Sequence, residues 1–153
     1  SHIFTDSLFF NLSLKNEITK DLTTFYSQMK SKIPYLAKWG IELESDIKLN
    51  QLSLGQKQLI AALRACYLQR KIILFDEISS ALDSDLELAL RKAIEMLKEH
   101  SLTFIVAHRV ETLINSDIIL LMDNGRLIDS GSHFELFQRQ NHYQEFIKEL
   151  SHS

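Results

Sequence analysis

One cysteine, one proline and four glycines are spread through 153 residues, and each scarcity excludes something. Cys66 has no partner within the chain, so an internal disulfide is impossible and a reducing compartment is the default expectation. Gly40, Gly55, Gly125 and Gly131 stand apart, so none belongs to a loop of the form G-x-x-x-x-G-K-S/T. No run approaches the ~18 apolar residues of a membrane-spanning helix, and nothing at the start reads as a signal peptide. A net charge of -3 gives no electrostatic case for nucleic acid or an anionic membrane surface. There is no internal repeat, low-complexity tract or linker. What remains, 45% hydrophobic and 24% charged, fits one compact domain.

The chain is organised around Gln51-Leu52-Ser53-Leu54-Gly55-Gln56-Lys57-Gln58. Ser53 and Gln56 have the S-x-x-Q spacing of a capping box, which predicts a helix from Ser53 to about Gln69. The serine hydroxyl accepts from a first-turn amide while Gln56 reaches back to the Ser53 N–H. Gly55 is expected to leave those amides uncovered, and such a helix start attracts anions. Taken alone, S-x-x-Q favours a capped helix with no ligand. Leu59–Leu63 makes the helix apolar almost all round, so burial is expected, with Cys66 as a structural thiol.

The segment after that helix changes the odds. Ile72-Ile73-Leu74-Phe75 fits a buried parallel strand. It runs into Asp76-Glu77, two carboxylates at the edge where open α/β sheets bind ligands. One suits a hydrated Mg²⁺ and the next a water to be activated. Ser79-Ser80-Ala81-Leu82-Asp83 follows. Ser84 and Glu87 suggest another capping box, opening a helix to about His100 with a stripe of Leu86, Leu90, Ala93, Ile94 and Leu97. Thr103–Ala107 is a second apolar strand, which delivers His108 and Arg109. A lone histidine there is ordinarily a hydrogen-bonded turn residue.

In order, L-S-L-G-Q, I-I-L-F-D-E, S-A-L-D and A-H-R resemble the ATP-binding-cassette (ABC) ATPases, exporter type. The tail from Asp117 through His133 to Leu136 is also similar to that of exporter ATPase domains, and the likeness runs from about Phe4 to about Leu150. The signature departs from the common L-S-G-G-Q in having Leu54 for the first glycine. The resemblance implies an α/β fold, a partial P-loop NTPase with a parallel-sheet core fragment and a helical subdomain. About 12–69 would be the helical subdomain and about 70–153 the core portion. It implies ATP and Mg²⁺ as cofactors of the intact protein, with Asp76 holding the metal through water, Glu77 polarising the attacking water and His108 contacting the γ-phosphate. Leu52, Ser53, Leu54, Gly55 and Gln56 would cap nucleotide held by a second nucleotide-binding domain in a head-to-tail dimer, and Asp83 would order that interface. Transmembrane domains would be the other partner, with no nucleic acid, at the cytoplasmic face of the membrane. Because the lysine-bearing phosphate loop is absent from this stretch, the chain alone is expected to be inactive.

Elsewhere the residues read as scaffold. Ile18, Leu22, Phe25, Tyr26, Met29 and Ile33 repeat at helical spacing, which Pro34 stops. Phe9 and Phe10 read as core, Tyr35–Gly40 as an apolar patch around Trp39, and Glu42, Glu44 and Asp46 as a solvated loop. Asp117–Met122 and Arg126–Asp129 are strands joined by a turn at Asp123-Asn124-Gly125. Terminal helices are expected at Ser132–Gln140 and Tyr143–Leu150, with His133 and His142 as uninformative surface or capping residues. A bare apolar surface is expected, with self-association. Two alternatives from other classes are the C-terminal lobe of an SMC-type chromosome or DNA-repair ATPase and a non-enzymatic interaction module. Gln56 in place of a glutamate, and the absence of preceding heptads, count against the first. The intact Asp76, Glu77 and His108 count against the second.

Overall fold

The computed structural model describes residues 20–43, 45, 49–75, 83–107 and 110–152. The expectations for Phe9, Phe10, Ile18, Glu44 and Asp46 lie outside those residues. The chain forms two compact units that divide between Phe104 and Ile105.

In the first unit, α1 (Lys20–Lys32) buries Leu22, Tyr26 and Met29, the stripe its spacing predicts. Ile33 leaves the helical region, φ −123° and ψ 88°, as a residue before proline tends to, and Pro34 then opens α2 (Pro34–Trp39) at its first position. The expected apolar patch is thus a short helix, and Pro34 both stops one helix and starts the next. Gly40 ends α2 in the left-handed conformation, φ 70°, which costs a glycine nothing. The Tyr26 hydroxyl donates to the Ile41 carbonyl at 2.6 Å, and burial, with Glu42 second, pushes that phenol above its ordinary value.

A 3₁₀ turn (Leu49–Gln51) leads into α3 (Leu54–Tyr67), which packs along α4 (Ser84–Lys98). Leu59, Ile60 and Leu63 meet the stripe of Leu86, Leu90, Ala93, Ile94 and Leu97 in the buried interior. Cys66 is half-buried, its thiol facing the Ala93 carbonyl at 3.8 Å, and burial pushes it up to about 11. That agrees with a structural thiol.

The helix α4 does not start with the expected box at Ser84 and Glu87. Asp83 is the cap: it is extended, and its Oδ1 accepts from Leu86 N–H at 2.9 Å. An aspartate one residue earlier caps as well as a serine and adds charge favourable to the helix dipole. Its third residue is then Leu86, which has no group to complete a box, and Glu87 pairs with Arg91 at 3.1 Å.

Strands β1 (Ile72–Phe75) and β2 (Leu102–Ile105) are hydrogen-bonded neighbours connected through α4. The apolar run of β1 predicted burial on both faces, and only one is covered. Ile73 is buried, whereas Ile72 is 65% and Leu74 77% exposed, and Leu102 and Phe104 on β2 are exposed too. The run is apolar throughout because both faces suit an interior, yet among the described residues of the first unit only one face has a cover. The bare apolar surface expected from the sequence is there.

The second unit holds α5 (Val110–Ile114), β3 (Ile119–Asp123), β4 (Arg126–Gly131), α6 (His133–Arg139) and α7 (Asn141–His152). Instead of joining one incomplete sheet, β3 pairs antiparallel with β4 in a sheet of its own. The reason is the turn: Asn124 and Gly125 both have positive φ, 45° and 75°, which folds one strand directly onto the next. Leu113, Ile119, Leu136, Tyr143 and Ile147 make the core. Arg139 grips Asp129 through two bonds of 3.0 and 2.9 Å and holds its carboxyl well below the usual carboxylate range. Ser132 and Glu135 form a full capping box that the sequence reading passed over. His133 is not an idle surface residue, because its Nδ1 lies 2.8 Å from the Tyr143 hydroxyl and its ring contacts Phe137 and Tyr143. No helix among the described residues is long and apolar enough to cross a membrane.

Candidate functional site

The site begins with the turn before α3. Leu52 is buried and anchors the chain, so Ser53 emerges at a fixed place in an extended conformation, φ −64° and ψ 162°. Its hydroxyl accepts from Gln56 N–H at 3.2 Å, and Gln56 Oε1 accepts in return from Ser53 N–H at 3.0 Å. The predicted capping box is present in full. Lys57 N–H donates to the Ser53 carbonyl at 3.1 Å. Of the four first-turn amides that a helix leaves open, Leu54 and Gly55 are the two that no described residue accepts from.

Leu54, which replaces a glycine of the common signature, is 61% exposed, so its side chain stands in solvent. Gly55 was expected to keep the amides uncovered, but it is buried. Two N–H groups that no described residue accepts from thus stand at the positive end of a 14-residue helix, the end whose charge suits an anion.

One residue of the site was missed. Tyr35, from α2, accepts from Gln56 Nε2 at 3.2 Å. Nothing in the sequence joins two residues 21 positions apart, and Tyr35 sits in a run that reads as packing around Trp39.

Asp83 is described, and its carboxylate is occupied as the α4 cap. Asp76, Glu77 and His108 lie outside the described residues. The strands that lead to them are in place: β1 ends at Phe75, one residue before Asp76, and its neighbour β2 ends at Ile105, three before His108. Among the described residues there is no group of three or more His, Cys, Asp or Glu able to hold a metal ion. The α3 start, which offers amides and a hydroxyl, fits an anion and not a cation.

No protein-family model matches the chain. An ATP-dependent lipid A-core flippase of Francisella novicida is 32% identical over 146 residues, which is 93% of this chain and 25% of the flippase. A beta-(1→2)glucan export ATP-binding/permease protein of Bartonella bacilliformis is 39% identical over 99 residues, 65% of this chain and 17% of that protein. The solved structure of a bacterial Atm1-family ABC exporter with ATP bound superposes with a TM-score of 0.74 at 28% identity, covering 96% of this chain and 26% of that one. The chain thus spans a quarter or less of the curated relatives named here. An ordered set of motifs, a fully formed signature helix start and exporters on every side lead to one conclusion: the chain belongs to the ABC exporters, and corresponds to part of their ATP-binding domain.

Proposed function

We propose that this chain is the signature-bearing part of an exporter's ATP-binding domain, and that the start of α3 closes over ATP held by the phosphate loop of another subunit. The observation that carries the proposal is the capped start of α3, with Ser53 and Gln56 locked together and the Leu54 and Gly55 amides accepted by no described residue. Phosphate charge suits those amides and the helix dipole. The fold in this reading is a partial P-loop NTPase. Asp76 would hold Mg²⁺ through water, and the ion supplies charge neutralisation to the phosphates. Glu77 polarises the attacking water and His108 contacts the γ-phosphate. Asp83, by fixing where α4 begins, orders the surface that meets the second nucleotide-binding domain. Such chemistry is largely positioning and charge stabilisation, which suits residues scattered over several elements. The transmembrane domains of the exporter are the second partner and place this chain at the cytoplasmic face of the membrane. The relatives described above are exporters, and none of them is a chromosome ATPase.

The experiment is Glu77→Gln in the intact protein. ATP binding should persist, turnover should nearly vanish, and a nucleotide-bound dimer should accumulate, because an amide does not polarise water as a carboxylate does. Turnover close to that of the unmutated protein would remove Glu77 from the role.

A further inference from the structure

Gln56 is held from two sides. Its Oε1 faces the Ser53 N–H at 3.0 Å, a group that can only donate. This contact fixes which end of the side-chain amide is oxygen and which is nitrogen. Nε2 must therefore be the atom that lies 3.2 Å from the Tyr35 hydroxyl, with the phenol oxygen as acceptor. The Tyr35 ring is half-buried and packs on Trp39 at 5.8 Å between centroids, tilted by 44°. Its own helix is anchored at the other end, where Lys38 pairs with Asp85 in the first turn of α4. Hence the hydroxyl is presented by a small scaffold that does not depend on Gln56. Its own proton goes to no described residue.

We propose that Tyr35 is a positioning residue for the helix start that faces nucleotide. Its hydroxyl keeps the Gln56 side chain folded onto Ser53, which preserves the extended cap and keeps a flexible amide off the Leu54 and Gly55 N–H groups. Without that acceptor, Gln56 Nε2 is released to solvent or, in the reading in which α3 closes over ATP, to a phosphate oxygen. The inference rests on the reading in which α3 closes over ATP. It adds a residue from a different helix, one that acts through Gln56 and not on the phosphate.

Tyr35→Phe removes the hydroxyl and leaves the ring against Trp39. In the ¹⁵N-labelled 153-residue chain, the side-chain amide resonances of Gln56 should shift and exchange with water several-fold faster, as should its backbone amide. In the intact protein, Tyr35→Phe should raise KM for ATP about two- to tenfold, the span that one net hydrogen bond supplies, with kcat within about twofold. Gln56→Ala should raise KM at least as much, and the double variant should be no worse than Gln56→Ala alone, since the two residues act as one unit. Unmoved Gln56 resonances, an unchanged KM in Tyr35→Phe beside a raised KM in Gln56→Ala, or effects that multiply in the double variant would each overturn the proposal. A Gln56→Ala protein with unaltered KM and kcat would overturn the nucleotide-capping reading itself, and the proposal with it.

Discussion

Ser53 carries two separable properties, and a pair of substitutions tells them apart. Ser53→Ala deletes the acceptor for Gln56 N–H while leaving the Ser53 N–H to Gln56 Oε1 and Lys57 N–H to Ser53 carbonyl bonds intact. Loss of an N-cap side chain costs about 0.5–2 kcal/mol. The bond here is 3.2 Å long and exposed, at the far end of the usual range, so the lower half applies, about 0.5–1 kcal/mol. For a chain of this size that is a fall in Tm of about 1–4 °C. Ser53→Asp restores an acceptor of the same reach and adds a charge that the helix dipole favours, so its Tm should match or exceed the unmutated value. Nucleotide should respond in the opposite order. A carboxylate about 4 Å from a phosphate repels it by about 4 kcal/mol at an effective dielectric of 20. Even a third of that, after solvent screening, is about tenfold in affinity. Melting curves by circular dichroism would give the first ranking, and ATP-driven dimerisation of the intact protein in a Glu77→Gln background the second. An aspartate variant that dimerises on ATP as readily as the serine protein would refute the claim that phosphate approaches this helix start.

Two further outcomes follow from burial. Because burial pushes the Cys66 thiol up to about 11, about one molecule in a thousand is thiolate at pH 8. Alkylation by iodoacetamide should then be on the order of a hundredfold slower than for a free thiol near 8.5 and should rise about tenfold per pH unit up to pH 10, as followed by mass spectrometry. A rate like that of a free peptide thiol would contradict the packing of α3 on α4. Leu74, 77% exposed beside Ile72, should tolerate Leu74→Lys with a stability change within about 0.5 kcal/mol, while light scattering shows less self-association than in the unmutated chain. A clean monomer at high concentration before mutation would show that the bare face is not sticky.

Local signals were the legible ones. The Ser53–Gln56 box, the α4 stripe and the Asn124-Gly125 turn were readable because each acts over two to four residues, and the structure places these three as the spacing implied, whereas the box expected at Ser84 and Glu87 does not form. Where two local signals competed, the sequence did not decide. Asp83 and Ser84 are both good caps, and the structure uses the aspartate. Coverage was not legible either, since an apolar run such as Ile72–Phe75 records which faces suit an interior and not which of them this chain covers. Contacts over long separations left no trace at all: Tyr35 to Gln56, Lys38 to Asp85 and Lys30 to Glu42 join residues whose types fit plain packing or a solvated face. The ordered motifs supplied the family, and the geometry of Ser53, Gln56 and Tyr35 supplied a mechanism for how one of those motifs keeps its shape.

The most direct measurement is calorimetry of the purified chain with Mg-ATP, run beside a phosphate-release assay. One helix terminus contributes about 0.3–2 kcal/mol per favourable charge contact, whereas micromolar affinity requires about −8 kcal/mol. Asp76 and Glu77 add negative charge, and no glycine-rich loop with its lysine is present to offset it. A chain that caps nucleotide held elsewhere should give no micromolar binding and no turnover. Micromolar binding by the chain alone, or phosphate release that disappears on Glu77→Gln, would contradict that account.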